Sequence, residues 1–360
     1  MKKKHLLPIC LLVSLCMACS KKEGAKTPVV PPPAIAKDEY INPVFTPILA
    51  DPSVIKAPGT NAFYAYGTED DWGDGHGTHL IAVVKSTNLT SWNYLNDAFV
   101  TKPNWKANGF IWAPDVNYID GKYYMYYAYS IWADPNPGIG LAIADKPEGP
   151  FSDQGKMFLS SEIGVANAID PFYINDGNKK YLFFGSYSSA ANNGTWGVEL
   201  SADGKSVPDF TKKINVAAGD FEGVMIHKRG IYYYFFGSKN NCCDGAASVY
   251  QVRVGRSINL MGPYLDKDGH DLKTRGNGTL LIERNTRYAG PGHNARLMQD
   301  DAGTDWFLYH AIDRGNPLVS SGANRRALML DKLTWNNDWP EIKGGTPSIS
   351  AQKAPVFNDH

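Results

Sequence analysis

From about residue 40 onward, short apolar and aromatic runs alternate with clusters of Gly, Asp, Asn and Pro, and the alternation recurs five times. Each unit is headed by an acid or a histidine that leads into an apolar run: Asp51-Pro-Ser-Val-Ile, Asp115-Val-Asn-Tyr-Ile, Asp170-Pro-Phe-Tyr-Ile, Glu222-Gly-Val-Met-Ile and His293-Asn-Ala-Arg-Leu. A turn follows in each unit, built on Gly59, Gly121, Gly177, Gly230 or Gly303, and then an aromatic-rich run at 63–67, 123–127, 181–184, 231–236 or 306–309. Short β-branched and aromatic runs bounded by Gly and Asp turns are predicted hairpins, because those turn residues supply the positive φ that tight hairpins need. A third run follows at 80–84, 139–144, 196–200, 248–254 and 326–330, and several of these lead into edge segments at 92–95, 149–152 and 262–265. No segment sustains a helical period.

Each unit therefore reads as a four-stranded antiparallel meander. The leading residues are spaced 64, 55, 52 and 71 apart, near the roughly 40–50 residues of a propeller blade once loop insertions are added. The predicted fold is all-β, a five-bladed β-propeller. A β-sandwich would not explain five units in register. In a propeller the first strands line the central channel and run the same way, so Asp51, Asp115, Asp170, Glu222 and His293 are expected around one mouth.

Composition adds the envelope. The 360 residues carry a formal net charge of zero, so neither a basic excess for nucleic acid nor an acidic tail is present. Lys2, Lys3 and Lys4 precede an apolar stretch from Leu6 to Met17 that is too short to span a bilayer, which is the anatomy of a signal peptide over residues 1–18. Leu15 and Ala18 before Cys19 resemble a bacterial lipobox, which implies a lipid on Cys19 and a membrane tether at the periplasm or cell surface. Residues 19–38 read as a polar and then proline-rich spacer, 39–345 as the propeller and 346–360 as a C-terminal tail. Cys10 and Cys16 leave with the signal, so Cys242 and Cys243 remain, adjacent and unable to staple distant segments. They are a vicinal disulfide or two thiols.

Carboxylates gathered in a partly dry funnel push their proton affinities apart, which yields one general acid and one general base. Two such groups among aromatic faces are what glycoside hydrolysis requires. The motifs Ala50-Asp51-Pro52-Ser53-Val54, Trp112-Ala113-Pro114-Asp115, Asn167-Ala168-Ile169-Asp170-Pro171, Glu222-Gly223 and Gly290-Pro291-Gly292-His293 resemble glycoside hydrolase family 43 in all five blades. The stretch from Cys242-Cys243-Asp-Gly to Lys267-Asp268-Gly269 resembles the endo-1,5-α-L-arabinanase branch. That resemblance implies inverting hydrolysis of α-1,5-linked arabinan, with Asp51 as base, Glu222 as acid and Asp170 raising and holding the acid. Inversion implies a base–acid separation of roughly 6.5–9.5 Å. It also implies that Asn167, Ser186, Tyr187 and Ser188 line the substrate cleft and that His293 neighbours a calcium ion, most of whose ligands would be water. Asp115 has no catalytic counterpart there and reads as scaffold.

Several readings compete. Trp112 is a sugar platform or a buried inter-blade tryptophan. His76 and His79 suggest zinc, but no second ligand pair accompanies them in the sequence, so a glycine-rich loop over the cleft is expected. The acidic run Glu69-Asp70-Asp71 with Asp74 reads as a solvated loop before a calcium loop. Glu222-Gly223-Val224 and the insertion at 70–79 depart from the endo branch. An exo-acting arabinofuranosidase or β-xylosidase of the same fold is the alternative enzyme, and a glycan-binding propeller lipoprotein is the alternative outside enzymes.

Overall fold

In a computed structural model of the chain, which describes Ala36 and residues 38–358, five antiparallel sheets, four of four strands and one of five, follow one another as the blades of a β-propeller. The signal peptide, Cys19 and nearly all of the spacer lie outside the described residues. Blade 1 is Ser53–Lys56, Phe63–Tyr66, Ala82–Ser86 and Asn93–Asp97. Blade 2 is Phe110–Ile119, Lys122–Ser130, Gly138–Ala144 and Ser152–Leu159. Blade 3 is Phe172–Asp176, Lys179–Phe184, Thr195–Glu199 and Ile214–Ala217. Blade 4 is Glu222–Arg229, Tyr232–Lys239, Gln251–Ser257 and Thr279–Ile282. Blade 5 has an inner edge in two pieces, Tyr288–Gly292 and Met298–Gln299, both paired to Asp305–Asp313, followed by Arg326–Asn336 and Trp339–Ile342.

The core sits between blades, and the aromatic second strands explain how. Successive side chains of a strand point to opposite faces, so each blade serves two neighbours. Phe63 and Ala65 pack with Leu308 and Leu330 of blade 5, whereas Tyr64 and Tyr66 pack with Met125 and Tyr127 of blade 2. Tyr124 and Tyr126 then face Leu182 and Phe184 of blade 3, and Phe183 faces blade 4. An aromatic on both faces of a strand is what a stack of sheets around an axis needs.

The ring is closed by the chain start. The Val44 N–H donates to Leu328 O (2.9 Å), the Leu328 N–H to Phe45 O (3.1 Å) and the Leu49 N–H to Arg326 O (2.9 Å). Asn42 bonds the Leu330 backbone in both directions at 2.8 Å. Glu39–Tyr40 also pairs with Gln352–Lys353, so the terminal segment runs back along the closure.

Two edges differ from the expected ones. Residues 262–265 are not the outer strand of blade 4; Thr279–Ile282 is, and Tyr264 is buried with its hydroxyl donating to Leu260 O (2.6 Å). Residues 149–152 only lead into the outer strand of blade 2, and the Phe151 N–H donates across to Ala98 O of the blade 1 side (2.8 Å). In both places an aromatic residue reads as strand locally but is spent on packing between sheets. Among the described residues no helix is long and apolar enough to cross a membrane.

Candidate active site

Along the inner edge of every blade a residue adopts a left-handed backbone: Asp51 (φ 51°), Ala113 (43°), Asp170 (56°), Gly223 (58°) and His293 (45°). Such angles are uncommon for residues other than glycine and persist only where the surroundings hold them. This kink is the register of the ring. Asp51, Asp170 and His293 occupy it, but Asp115 follows Ala113 by two residues and Glu222 precedes Gly223 by one. The five leading polar residues therefore do not share one register, which corrects the expectation that all five stand at the same point around one mouth. A Cβ on Gly223 would stand 2.9 Å from the His293 ring, so glycine allows two neighbouring kinks to close on each other.

Asp115 does not line the mouth. It is buried, accepts the Tyr173 N–H and the Asn117 amide, and pairs with Arg296 at 3.0 Å. Arg296 also donates to Tyr173 O and lies over Phe172. Asp115 thus ties blades 2, 3 and 5 together as scaffold.

A cleft of about 650 Å³ opens over the kinks, lined by Asp51, Asp170, Glu222, His293 and Arg326 together with Trp112, Phe110, Trp132 and Tyr187. On one side Asp51 receives Arg326 Nη1 at 3.0 Å from each oxygen and the Thr68 hydroxyl at 2.6 Å. Burial is the largest influence and would raise this carboxyl, but the Arg326 guanidinium and the Thr68 hydrogen bond, with the imidazoles of His293 and His310 wherever these carry charge, together outweigh it, and Asp51 is held well below the carboxylate range. His310 is fully buried, which drops its pKa to about 3, so its Nδ1 is a neutral acceptor for the Asp51 N–H (3.1 Å). Its approach to the Asp51 carboxylate (3.4 Å) is accordingly no ion pair, and Arg326 is the true counter-charge.

The other side is the reverse. Glu222 is pushed up to about 7, by burial first and also by the charge of Asp51, against hydrogen bonding from Tyr250 and Ser186. Ser186 Oγ donates to Glu222 Oε2 at 2.8 Å. The Tyr250 hydroxyl is buried beside Glu222 without a hydrogen bond of good geometry among the described residues. Asp170 is also raised, by burial and then by repulsion from Glu222 and Asp51, although it accepts the Gly223 N–H at 3.0 Å. Burial and mutual repulsion thus push this coupled pair of carboxyls towards the protonated form.

The expected binding residues separate into two groups. Trp112 and Tyr187 line the cleft, and Trp112 stands 5.6 Å from Trp132, which is 75% exposed. Asn167, Ser186 and Ser188 are not among the lining residues. Asn167 donates to Tyr187 O (3.0 Å), Ser186 holds Glu222, and the Ser188 hydroxyl accepts the Ala190 N–H (3.1 Å), so they shape the wall from behind. Sequence reasoning missed Arg326, Thr68, His310 and Trp132. No local signal marks Arg326, because ring closure alone brings it to Asp51.

The acidic run is not a solvated loop. Glu69 is buried, bound by Lys102 and by the Ile111 N–H (2.8 Å). Asp70 lies 3.7 Å from Arg326, and burial raises it to about 6. Asp70–Asp71 pairs with Thr78–His79 in a small hairpin, and Asp70, Asp71 and Thr78 border the cleft. Cys242 and Cys243 are joined as a vicinal disulfide and also line it.

Hydrolysis of a glycosidic bond by acid and base asks for this split in proton affinity across one cleft, and the class follows: the protein is a glycoside hydrolase. Residues 40–340 match Glycosyl hydrolases family 43, and the chain belongs to that family. It is 32% identical to the extracellular endo-α-(1→5)-L-arabinanase 1 of Bacillus subtilis, over 81% of this chain and 87% of that protein. It is 29% identical to the extracellular exo-α-(1→5)-L-arabinofuranosidase of Cellvibrio japonicus, over 73% of this chain and 80% of that one. Its fold is similar to the structure of Cellvibrio cellulosa α-L-arabinanase complexed with arabinohexaose, with a TM-score of 0.70 and 27% identity over 82% of this chain and 95% of that one.

Proposed function

We propose that this chain is an inverting hydrolase of α-1,5-L-arabinan that cuts within the polymer. The observation that carries the mechanism is the opposed electrostatics of Asp51 and Glu222 across one cleft. Asp51, whose charge Arg326 favours, takes a proton from a water whose oxygen attacks the anomeric carbon. The bond from that carbon to the bridging oxygen breaks as Glu222 delivers its proton to the leaving oxygen. Water is consumed, and the new hydroxyl lies on the opposite face. Asp170 keeps the acid charged with its proton by adding a second carboxyl to a buried pair, and its bond to the Gly223 N–H fixes the backbone beside Glu222. Trp112, Trp132 and Tyr187 offer apolar faces for furanose rings. Debranched linear arabinan is the deciding substrate. A ladder of oligosaccharides at early times, with inverted anomers by NMR, is expected; retained anomers would overturn the mechanism. The exo alternative draws on the 29% identical exo-acting relative, and monomer from the first time point would establish it instead.

A calcium ion near His293 belongs to the same proposal. Burial lowers His293, leaving the neutral imidazole that can act as a ligand. Asp51, Asp170 and Glu222 face a single guanidinium in the cleft lining, and buried Asn294 Oδ1 has no hydrogen-bond partner among the described residues. These features suit a cation. No cluster of three ligating side chains includes His293 among the described residues, so His293 would hold the ion and water would fill most of its shell. Its charge would organise water and balance the carboxylates. Unchanged activity and melting temperature after chelation, with no metal detected, would remove it. We also propose export and a lipid on Cys19, supported by the basic, apolar and Ala18-Cys19 pattern. Cys19→Ala should release the protein from the envelope fraction.

A further inference from the structure

The geometry points to a second metal site, for a zinc-class divalent ion, on His76, His79 and Asp97. In the sequence the two histidines have no second ligand pair nearby. The fold supplies what was missing, because the outer strand of blade 1 brings Asp97 against the hairpin that carries His79. The ligand atoms of the three residues all lie within 4.8 Å of one another. His79 Nδ1 is 2.9 Å from Asp97 Oδ1, and His76 Nε2 is 3.6 Å from Asp97 Oδ2. Ligands about 2.0–2.1 Å from a tetrahedral zinc stand roughly 3.3 Å apart, and each imidazole lies near that spacing from one oxygen of the carboxylate, His79 from Oδ1 and His76 from Oδ2.

The surroundings resemble a support shell built for such an ion. The His79 side chain is 2% exposed, yet both of its ring nitrogens face carboxylates, with Nε2 at 3.2 Å from Asp74 Oδ2. An ion on Nδ1 leaves Nε2–H to donate to Asp74, which is the carboxylate–histidine–metal arrangement that orients a ligand. Asp97 is itself fixed, accepting the Leu80 N–H and the Tyr94 hydroxyl, each at 2.9 Å. Trp72 closes one face of the His79 ring at 4.1 Å between centroids. Two imidazoles and a carboxylate select zinc-like ions over calcium, which seeks six to eight oxygens. His76 is half-exposed and leaves a side open for a water as fourth ligand. The consequence reaches the substrate cleft, because the same hairpin places Asp70, Asp71 and Thr78 in its lining. The ion would brace that wall against blade 1.

The test uses the mature chain, treated with chelator and dialysed, then titrated calorimetrically with zinc chloride and, separately, with calcium chloride. One zinc per chain is expected, with a rise in melting temperature. His76→Ala, at a half-exposed position, should weaken zinc binding by at least about tenfold and abolish the thermal shift. Asp97→Asn should do the same, and cobalt(II) should give tetrahedral visible absorption that His76→Ala removes. His270→Ala, in the other His/Asp cluster, should change nothing. No zinc uptake at micromolar concentrations would overturn the site, as would equal uptake by His76→Ala. So would calcium binding that depends on His76. The readout is metal binding, so it stands or falls apart from the arabinan reading.

Discussion

The two sides of the cleft are built in opposite ways. The Asp51 side is assembled across the seam where chain start meets blade 5, from residues more than 250 positions apart, and it is rich in cationic and imidazole groups. The Glu222 side is assembled by blades 3 and 4 and contains a second carboxyl, a serine and a tyrosine. Both sides are buried, so burial pushes both carboxyls up. What differs is the partner: a guanidinium reverses the push at Asp51, and nothing of that strength does so at Glu222. One environment variable, the charge set opposite each carboxylate, thus divides a base from an acid.

Removing either carboxylate should have the largest effect. Asp51→Asn and Glu222→Gln are each expected to lower kcat on arabinan by roughly 10²–10⁴-fold. Aryl arabinosides with good leaving groups should be spared more by Glu222→Gln than by Asp51→Asn, because they need no proton from the acid. Equal losses on both substrates would break the contrast. Glu222→Gln also carries a stability signature. Its folded pKa of about 7 lies above the ordinary 4.5, so the wild-type carboxyl favours folding least once pH exceeds about 7. The amide variant should therefore be more stable than the wild type at pH 8, by on the order of 3 kcal/mol, and the gap should vanish towards pH 4.

Arg326→Met tests the seam next. Without the guanidinium Asp51 rises, so the acidic limb of the kcat/KM profile should move to higher pH. Arg326 also lowers Glu222, so the alkaline limb should move the same way. Breaking a partly buried ion pair should cost stability as well, about 3 kcal/mol or more. A profile that keeps both limbs would show that Arg326 does not set the difference between the two sides.

Asp170→Asn acts on the other side in the opposite direction. In the role proposed for Asp170, removing one of the two coupled carboxyls lets Glu222 ionise more easily, so the alkaline limb should move to lower pH and kcat at neutral pH should fall about tenfold or more. The side-chain amide introduced by Asp170→Asn keeps an oxygen that can accept the Gly223 N–H, so the backbone kink should survive. Thermal stability above pH 7 should rise, which separates an electrostatic role from a purely structural one.

Much of this contrast was legible in the sequence, but not its register. Period-two aromatic strands and Gly/Asp turns specify blades, because alternate faces must be covered by two neighbours. Choosing the leading polar residue of each unit as the repeat marker then misaligned two blades. The Asp-Pro and Ala-Pro pairs carried the true signal: Pro52, Pro114 and Pro171 each follow a left-handed residue. Side-chain polarity is free to vary at a shared backbone kink, which is why Ala113 and Gly223 sit where Asp51 and Asp170 do. Arg326 and the Asp97 contact to His79 were illegible for another reason. Both depend on which strand edge lies beside which loop, and that is fixed by ring closure and blade packing.

The smallest expected effect is at Ser186, and it reports most directly on how the acid is tuned. Its hydroxyl donates to Glu222 Oε2 at 2.8 Å and stabilises the ionised form. Ser186→Ala removes that donor from a fully buried position and leaves the volume nearly unchanged. Glu222 should then hold its proton to higher pH, so the alkaline limb should move up by a few tenths to one pH unit, with kcat at its optimum changing less than about fivefold. The shift is opposite in sign to that of Asp170→Asn although both residues belong to blade 3. Combining the two substitutions should return the limb towards the wild-type position. A Ser186→Ala profile that moves down would mean that the hydroxyl stabilises the protonated acid instead, and the tuning of Glu222 would have to be assigned to Tyr250.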